Sequence, residues 1–173
     1  SLMNLHAWKL WSLAGKPAEG TEEIVSVLES VLARDPDHLG ANHYYIHAVE
    51  ASPAPARAMA SAHRLETLAP AAGHLGHLPA HIHARTGDHA AAAKANLAGV
   101  EADRAYLKTA PPGGFYEMGY YPHNLHFLTD SHMMQGRFED ARQAAGQLRS
   151  VLAPHLSMMP MAESMAAIDE SVG

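Results

Sequence analysis

Fourteen histidines stand in a chain that has no cysteine, and most of them fall in closely spaced sets. His43 and His47 are followed by Glu50, His74 and His77 by His81, and His123 and His126 by Asp130. On a helix, residues at i and i+3 or i+4 stand one turn apart on one face. Two imidazoles so placed can grip a single ion, as the paired histidines of zinc-protease helices do. With Glu50 or Asp130 added, the donor set matches zinc, non-haem iron or manganese; imidazoles alone suit copper or nickel. The donors suffice for two ions, and a hydroxide bridging ions about 3.5–4 Å apart would be a nucleophile. The missing cysteines exclude disulfide frameworks, thiolate zinc fingers and cysteine nucleophiles. Imidazole and carboxylate chemistry remains.

The elements that carry these residues are predicted to be helices. Alanine is abundant, Leu and Met are common, and β-branched residues are sparse, a composition that favours helix over sheet. Proline and glycine read as punctuation: Gly15-Lys16-Pro17, Asp35-Pro36-Asp37, Ser52-Pro53, Ala69-Pro70, Thr86-Gly87-Asp88, Gln135-Gly136 and Ala153-Pro154. Pro111-Pro112-Gly113-Gly114 is the one long loop signal, and its place before His123 suggests a lid. About nine helices of about 12 to 16 residues are expected from this spacing. At 173 residues and 18.5 kDa, one domain is expected over residues 1–173. The formal charge of −6 argues against nucleic-acid binding. Histidine, glycine or charge interrupts every apolar stretch, so no membrane span is expected. Secretory n- and h-regions are missing from the start, and a cytoplasmic location is expected. Phosphate-loop, Gly-x-Ser-x-Gly and His-Glu-x-x-His motifs do not occur.

Self-similarity organises the segments. A shift of 34 residues lays Pro36 on Pro70, His43 on His77, His47 on His81 and Ala58 on Ala92. A shift of 49 lays His74, His77 and His83 on His123, His126 and His132. The longer shift also lays Gly87 on Gly136. Thirty-four residues is one helix-turn-helix tetratricopeptide unit, and Gly136-Arg137-Phe138-Glu139-Asp140-Ala141 resembles the turn of such units. The expected architecture is therefore all-α, a tetratricopeptide-like helical-repeat solenoid of about four helix pairs. The repeats are placed at 2–34, 38–68, 72–107 and 121–152, with a C-terminal capping helix at 155–169. An irregular α-bundle is the alternative.

The runs Ala41-Asn42-His43-Tyr44-Tyr45-Ile46-His47, Gly73-His74-Leu75-Gly76-His77-Leu78-Pro79-Ala80-His81 and Tyr121-Pro122-His123-Asn124-Leu125-His126-Phe127 resemble a family of bacterial, histidine-rich tetratricopeptide-repeat proteins of undefined role. The resemblance implies a groove lined by the first helix of each pair. It places Gly40, His43, His47 and Glu50, then His74, His77, His81 and Ala84, then His123, His126, Asp130 and Met133 on that face, with His6 at the position of His43 in the first unit. Members of the family are longer, which fits a portion or a reduced version of such a protein, and the opening on Ser1 fits either a fragment or a tag remnant; the choice stays open.

The metal ligands expected are His43, His47, Glu50, His74, His77, His81, His123 and His126, holding zinc, copper or iron, with Glu50 and Asp130 as ligand or base. Hydrolysis is the first expectation for a reaction and oxidation the second; whether the protein is an enzyme stays open. Asn42, Tyr44, Tyr45, Tyr120, Tyr121 and Asn124 flank the stripe as donors to ligands or substrate. His38, His63, His83, His89, His132 and His155 read as background, Met158, Met159, Met161 and Met165 as packing of the cap, and Trp8 and Trp11 as core or partner surface on a first helix. The competing reading is a non-enzymatic interaction module with a small molecule, peptide or partner helix in the groove. Hydrogen-bonded neutral histidines, a groove that charges below about pH 6.5, and self-association also stay open.

Overall fold

The computed structural model describes residues 9–112 and 114–155. His6, Trp8, the tail methionines and most of the expected capping helix lie outside them. Among the described residues the fold is all-α, with seven α-helices: α1 (Thr21–Arg34), α2 (Leu39–Val49), α3 (Met59–Leu68), α4 (Gly73–Arg85), α5 (His89–Leu107), α6 (Tyr121–Met134) and α7 (Phe138–Leu152). A 3₁₀ turn (Pro55–Ala58) leads into α3 and a π-helical turn (Tyr116–Tyr120) into α6.

Local chemistry sets the helix ends. α1 follows Gly20 at φ 79° and carries Glu22 and Glu23 in its first turn and Arg34 in its last, each sign placed to suit the helix dipole. His38 caps α2, its Nδ1 accepting from the Ala41 N–H at 3.1 Å. Asp88 caps α5 in the same way at 2.9 Å.

Two expectations fail here. Residues 10–14, where the first helix was expected to continue, form turns, and Trp11 pairs with Pro17 in an isolated antiparallel bridge. Gly15, at φ 74°, and Pro17 stand at the break expected after that segment. Trp11 joins the core edge instead, its indole N–H donating to the Ala48 carbonyl at 2.7 Å. Proline is also not confined to connections: Pro79 lies inside α4, where it removes one backbone hydrogen bond. Pro79 is itself buried, and the apolar packing of α4 offsets that loss.

Each helix packs against the next in the chain, and α4 also touches both α2 and α6. One core joins Ile24, Ile46, Val49, Leu65, Leu78 and Ile82 across α1 to α4; a second joins Val100, Leu125, Leu128, Leu148 and Leu152 across α5 to α7. Each such aliphatic side chain withdrawn from water contributes about 1.5–3 kcal/mol. Thus α4 buries Leu78 and Ile82 on one side and turns His74, His77 and His81 to another. The contact of α4 with α5 is unusually close because both surfaces are glycine there. A Cβ at Gly99 would stand 2.8 Å from the Gly73 carbonyl oxygen and 3.0 Å from the His77 Cβ.

Candidate metal centre

Three helices bring their histidines to one place. His43 and His47 come from α2, His74, His77 and His81 from α4, and His123 from α6. Their rings contact one another continuously. Ring centroids are 5.0 Å apart for His43 and His47, 5.2 Å for His47 and His81, 4.6 Å for His77 and His81 and 4.7 Å for His77 and His123. Three overlapping groups could hold a metal ion: His43, His47 and His74; His74, His77 and His123; and His47, Glu50 and His81. In each, the donor atoms lie within 4.8 Å of one another.

His77 is the centre of the constellation and is wholly buried. Its Nδ1 lies 2.6 Å from Asn96 Oδ1 on α5. Asn96 Nδ2 donates to Ser131 Oγ at 2.9 Å, and Ser131 donates onward to the Phe127 carbonyl at 2.8 Å. That chain leaves the Asn96 oxygen facing His77, so His77 carries its proton on Nδ1 and a lone pair on Nε2. His81 is pinned likewise, with Nδ1 donating to Glu50 Oε2 at 2.5 Å, while His47 Nδ1 donates to Glu50 Oε1 at 2.9 Å. The Nε2 atoms of His77 and His81 meet at 2.8 Å, and that of His123 stands 3.0 Å from His77 Nε2.

The electrostatics follow from burial. Desolvation, reinforced by neighbouring imidazoles, pushes His43 and His123 down to about 4 and His74 to about 3. His77 is held well below its ordinary value for the same reasons, against a small opposing contribution from the Asn96 hydrogen bond. Burial pushes the Glu50 carboxyl up, but hydrogen bonds from His47 and His81 outweigh it and leave Glu50 at about 2. Near neutral pH, then, His43, His74, His77 and His123 are uncharged rings beside an ionised carboxylate, the protonation state that metal binding requires.

Not every expected residue joins. His126 is part-exposed and pairs with the exposed Asp130 at 3.4 Å, and neither belongs to the groups that could hold an ion. Both lie beyond the turn of α6 that carries His123, so α6 delivers one imidazole inward. Of the flanking residues, Tyr44 stacks on His43 at 4.8 Å and Tyr120 covers His74 at 4.5 Å. The others serve the scaffold. Asn42 donates to the Pro36 and His38 carbonyls, Tyr45 to Glu29, and Tyr121 accepts from Arg104. Asn124 and Tyr116 both donate to buried Asp103 at 2.6 Å, which ties the π-helical turn and α6 to α5. A π-helical turn is a form often found at functional sites. Tyr120, at its end, stands over the centre, while the expected lid loop Pro111–Gly114 lies just before the turn.

Two features escaped the sequence reading. Asn96 orients His77; its signal was a polar residue on the buried stripe of α5, between Ala92 and Val100. His63, Glu66 and His83 form a fourth group able to hold an ion, on α3 and α4, though both histidines read as background in the sequence. His83 Nε2 lies 3.3 Å from Glu66 Oε1 and His63 Nδ1 lies 3.7 Å from it. No family model matches the chain, and no curated protein and no solved structure does either.

Proposed function

We propose that this chain is a metal-binding protein of the tetratricopeptide-like helical-repeat class, holding one or two transition-metal ions in a histidine-lined groove. The packing of α4 on both α2 and α6, each followed by its partner helix, supports the stacked-pair architecture. The single observation that carries the metal reading is the encounter of His77 Nε2 and His81 Nε2 at 2.8 Å, with both Nδ1 atoms engaged by acceptors. Two imidazole lone pairs repel at that distance unless a cation lies between them. Two imidazoles bound at about 2.0–2.1 Å to one ion stand about 2.9 Å apart at the right angle of a square-planar or octahedral site and about 3.3 Å apart in a tetrahedral one. Acceptors on the outer ring nitrogens are the usual support of histidine ligands, fixing tautomer and ring orientation.

In this reading His77, His81, His123 and His74 are the inner ligands, and His43 and His47 extend the set toward a second ion. Glu50 accepts from His47 and His81 and fixes the orientation of their rings. Both of its oxygens are engaged, and Asp130 is on the exposed rim with His126, so neither is placed as a free base. The function proposed is therefore metal holding. A bound ion would supply Lewis acidity and could lower the pKa of a coordinated water to about 7.

Elemental analysis of protein purified without a nickel column tests this. About one or two equivalents of a transition metal, lost in the His47→Ala/His81→Ala double variant, is the expected result. Less than about a tenth of an equivalent, with no tight uptake of zinc, copper or iron on titration, would sink the proposal and leave a shared proton between the rings.

A further inference from the structure

A cavity of about 440 Å³ opens on a different part of the fold, between α5 and α7, with α6 as its floor. It exists because α5 and α7 each pack against α6 and scarcely against each other. The chain has a formal charge of −6, yet Lys94, Arg104 and Arg137 all line this cavity against the single carboxylate of Asp140. Only 12 of the 173 residues are Lys or Arg, so a quarter of them meet here. Arg137 Nε donates to Asp140 at 2.8 Å, and Arg104 is forked between the Tyr121 hydroxyl and Gln147 Oε1. Arg104 is thereby held in place by hydrogen bonds that do not neutralise its charge. Lys94 has no ion-pair partner among the described residues. Two positive charges are left in excess.

The floor adds a second, independent observation. His132 on α6 is 8% exposed and lines the cavity, and its Nδ1 is buried without a hydrogen-bond partner among the described residues. A buried polar atom left so costs about 1–3 kcal/mol, a penalty that a bound polar group would remove. Burial and the Arg137 charge lower the His132 pKa, so the ring can offer a neutral donor or acceptor. The remaining wall, with Ala93, Leu97 and Leu128, is apolar, and Leu97 stands 44% exposed. Volume, a few convergent polar groups and an apolar wall are the usual make-up of a small-molecule site.

We propose that this cavity binds a small organic anion, its carboxylate or phosphate head between Lys94, Arg104 and Arg137 and its apolar part against Leu97 and Leu128. Guanidinium groups match the planar, two-oxygen geometry of such heads. The site shares no residue with the histidine centre and does not depend on a metal there.

The test is a titration of the full chain, followed by amide chemical shifts in ¹⁵N–¹H spectra, with decanoate, decanol and inorganic phosphate as probes. Decanoate is expected to shift the amides of residues 90–97, 132 and 140–147 saturably, and at least tenfold more tightly than either decanol or phosphate. Lys94→Glu is expected to weaken decanoate at least fivefold while leaving the helical circular dichroism and the metal content unchanged. Lys94 is exposed and unpaired, so this variant keeps the fold; Arg137→Glu supplies a second reading of the same charge. Equal affinity for decanol overturns the anion assignment, and equal affinity for phosphate overturns the apolar part. Shifts elsewhere, no saturable shift, or decanoate affinity unchanged in Lys94→Glu overturns the site.

Discussion

Replacing Asn96 by leucine tests the tautomer argument at its root, because the side chain is close in size and carries neither hydrogen-bonding group. In the structure Asn96 is wholly buried, and its oxygen is the acceptor for His77 Nδ1 at 2.6 Å. With leucine there, the Nδ1–H is left buried and unsatisfied at a cost of about 1–3 kcal/mol. The ring escapes that cost by moving its proton to Nε2, between His81 and His123. Ser131 loses one donor but keeps the Phe127 carbonyl, so the helix contact itself survives. A metal must then displace the Nε2 proton and restore the unfavourable tautomer. Loss of such an outer partner lowers metal affinity by about 10–100-fold, or about 1.4–2.7 kcal/mol. Asn96→Asp keeps an oxygen toward Nδ1 and is expected to recover most of the affinity. The assay is cobalt and zinc competition against a chelator at pH 7.5, with the long-range ¹⁵N–¹H coupling pattern of the His77 ring reporting the tautomer. A folded Asn96→Leu protein that binds metal as tightly as the parent, or that retains the Nδ1–H tautomer, would refute the reasoning; so would an Asn96→Asp protein no better than the leucine variant.

Other perturbations follow from the same geometry. Glu50→Gln can accept from only one of His47 and His81, and chelator competition should show metal affinity falling about tenfold. The apo protein should lose stability in acid. The folded pKa values of His43, His74 and His123 lie at about 4, 3 and 4, below the ordinary 6.5, so the unfolded chain binds more protons in between. Their contribution is full above pH 6.5, falls as pH drops toward 4, and is extended by Glu50 between 4.5 and about 2. At pH 5 the loss is about 2 kcal/mol each for His74 and His123 at most, and less for the more exposed His43; urea midpoints equal at pH 7.5 and 5 would contradict this. Gly99→Ala puts a Cβ 2.8 Å from the Gly73 carbonyl, so thermal unfolding should show a loss of about 1–3 kcal/mol, whereas Gly76→Ala meets nothing within 4 Å and should gain about 0.5–1 kcal/mol. Metal removal by a chelator should lower the melting temperature, since ligand at about 1,000 times its Kd stabilises by about 4 kcal/mol.

Much of the helix layout was legible in the chain because caps and breakers act locally. Asp88 and Gly136 mark the ends of α5 and α6 through bonds or backbone angles that reach only a few residues, whereas the cap that His38 places on α2 went unread. The grouping of His43 with His47 and of His74 with His77 and His81 was legible for the same reason, since each set shares one face of its helix by periodicity, while the resemblance supplied the expectation that those faces turn inward. Trp11 was expected on a helix from its apolar spacing, whereas its indole is held by the Ala48 carbonyl, 37 residues away.

Residue type and spacing therefore established an all-helical protein with imidazoles gathered on the faces of particular helices, since those properties depend on sequence separations of four or fewer. Which imidazoles meet is a matter of helix rotation and closeness of approach. Gly73 and Gly99 let α4 settle onto α5, which delivers Asn96, 19 residues from His77 in sequence, to its Nδ1. The turn of α6 sends His123 to a partner 46 residues away and leaves His126 with Asp130 at the rim. Tautomer, burial and the lone pairs facing each other at His77 and His81 arise only when three helices pack, because each depends on acceptors and neighbours that no single helix contains.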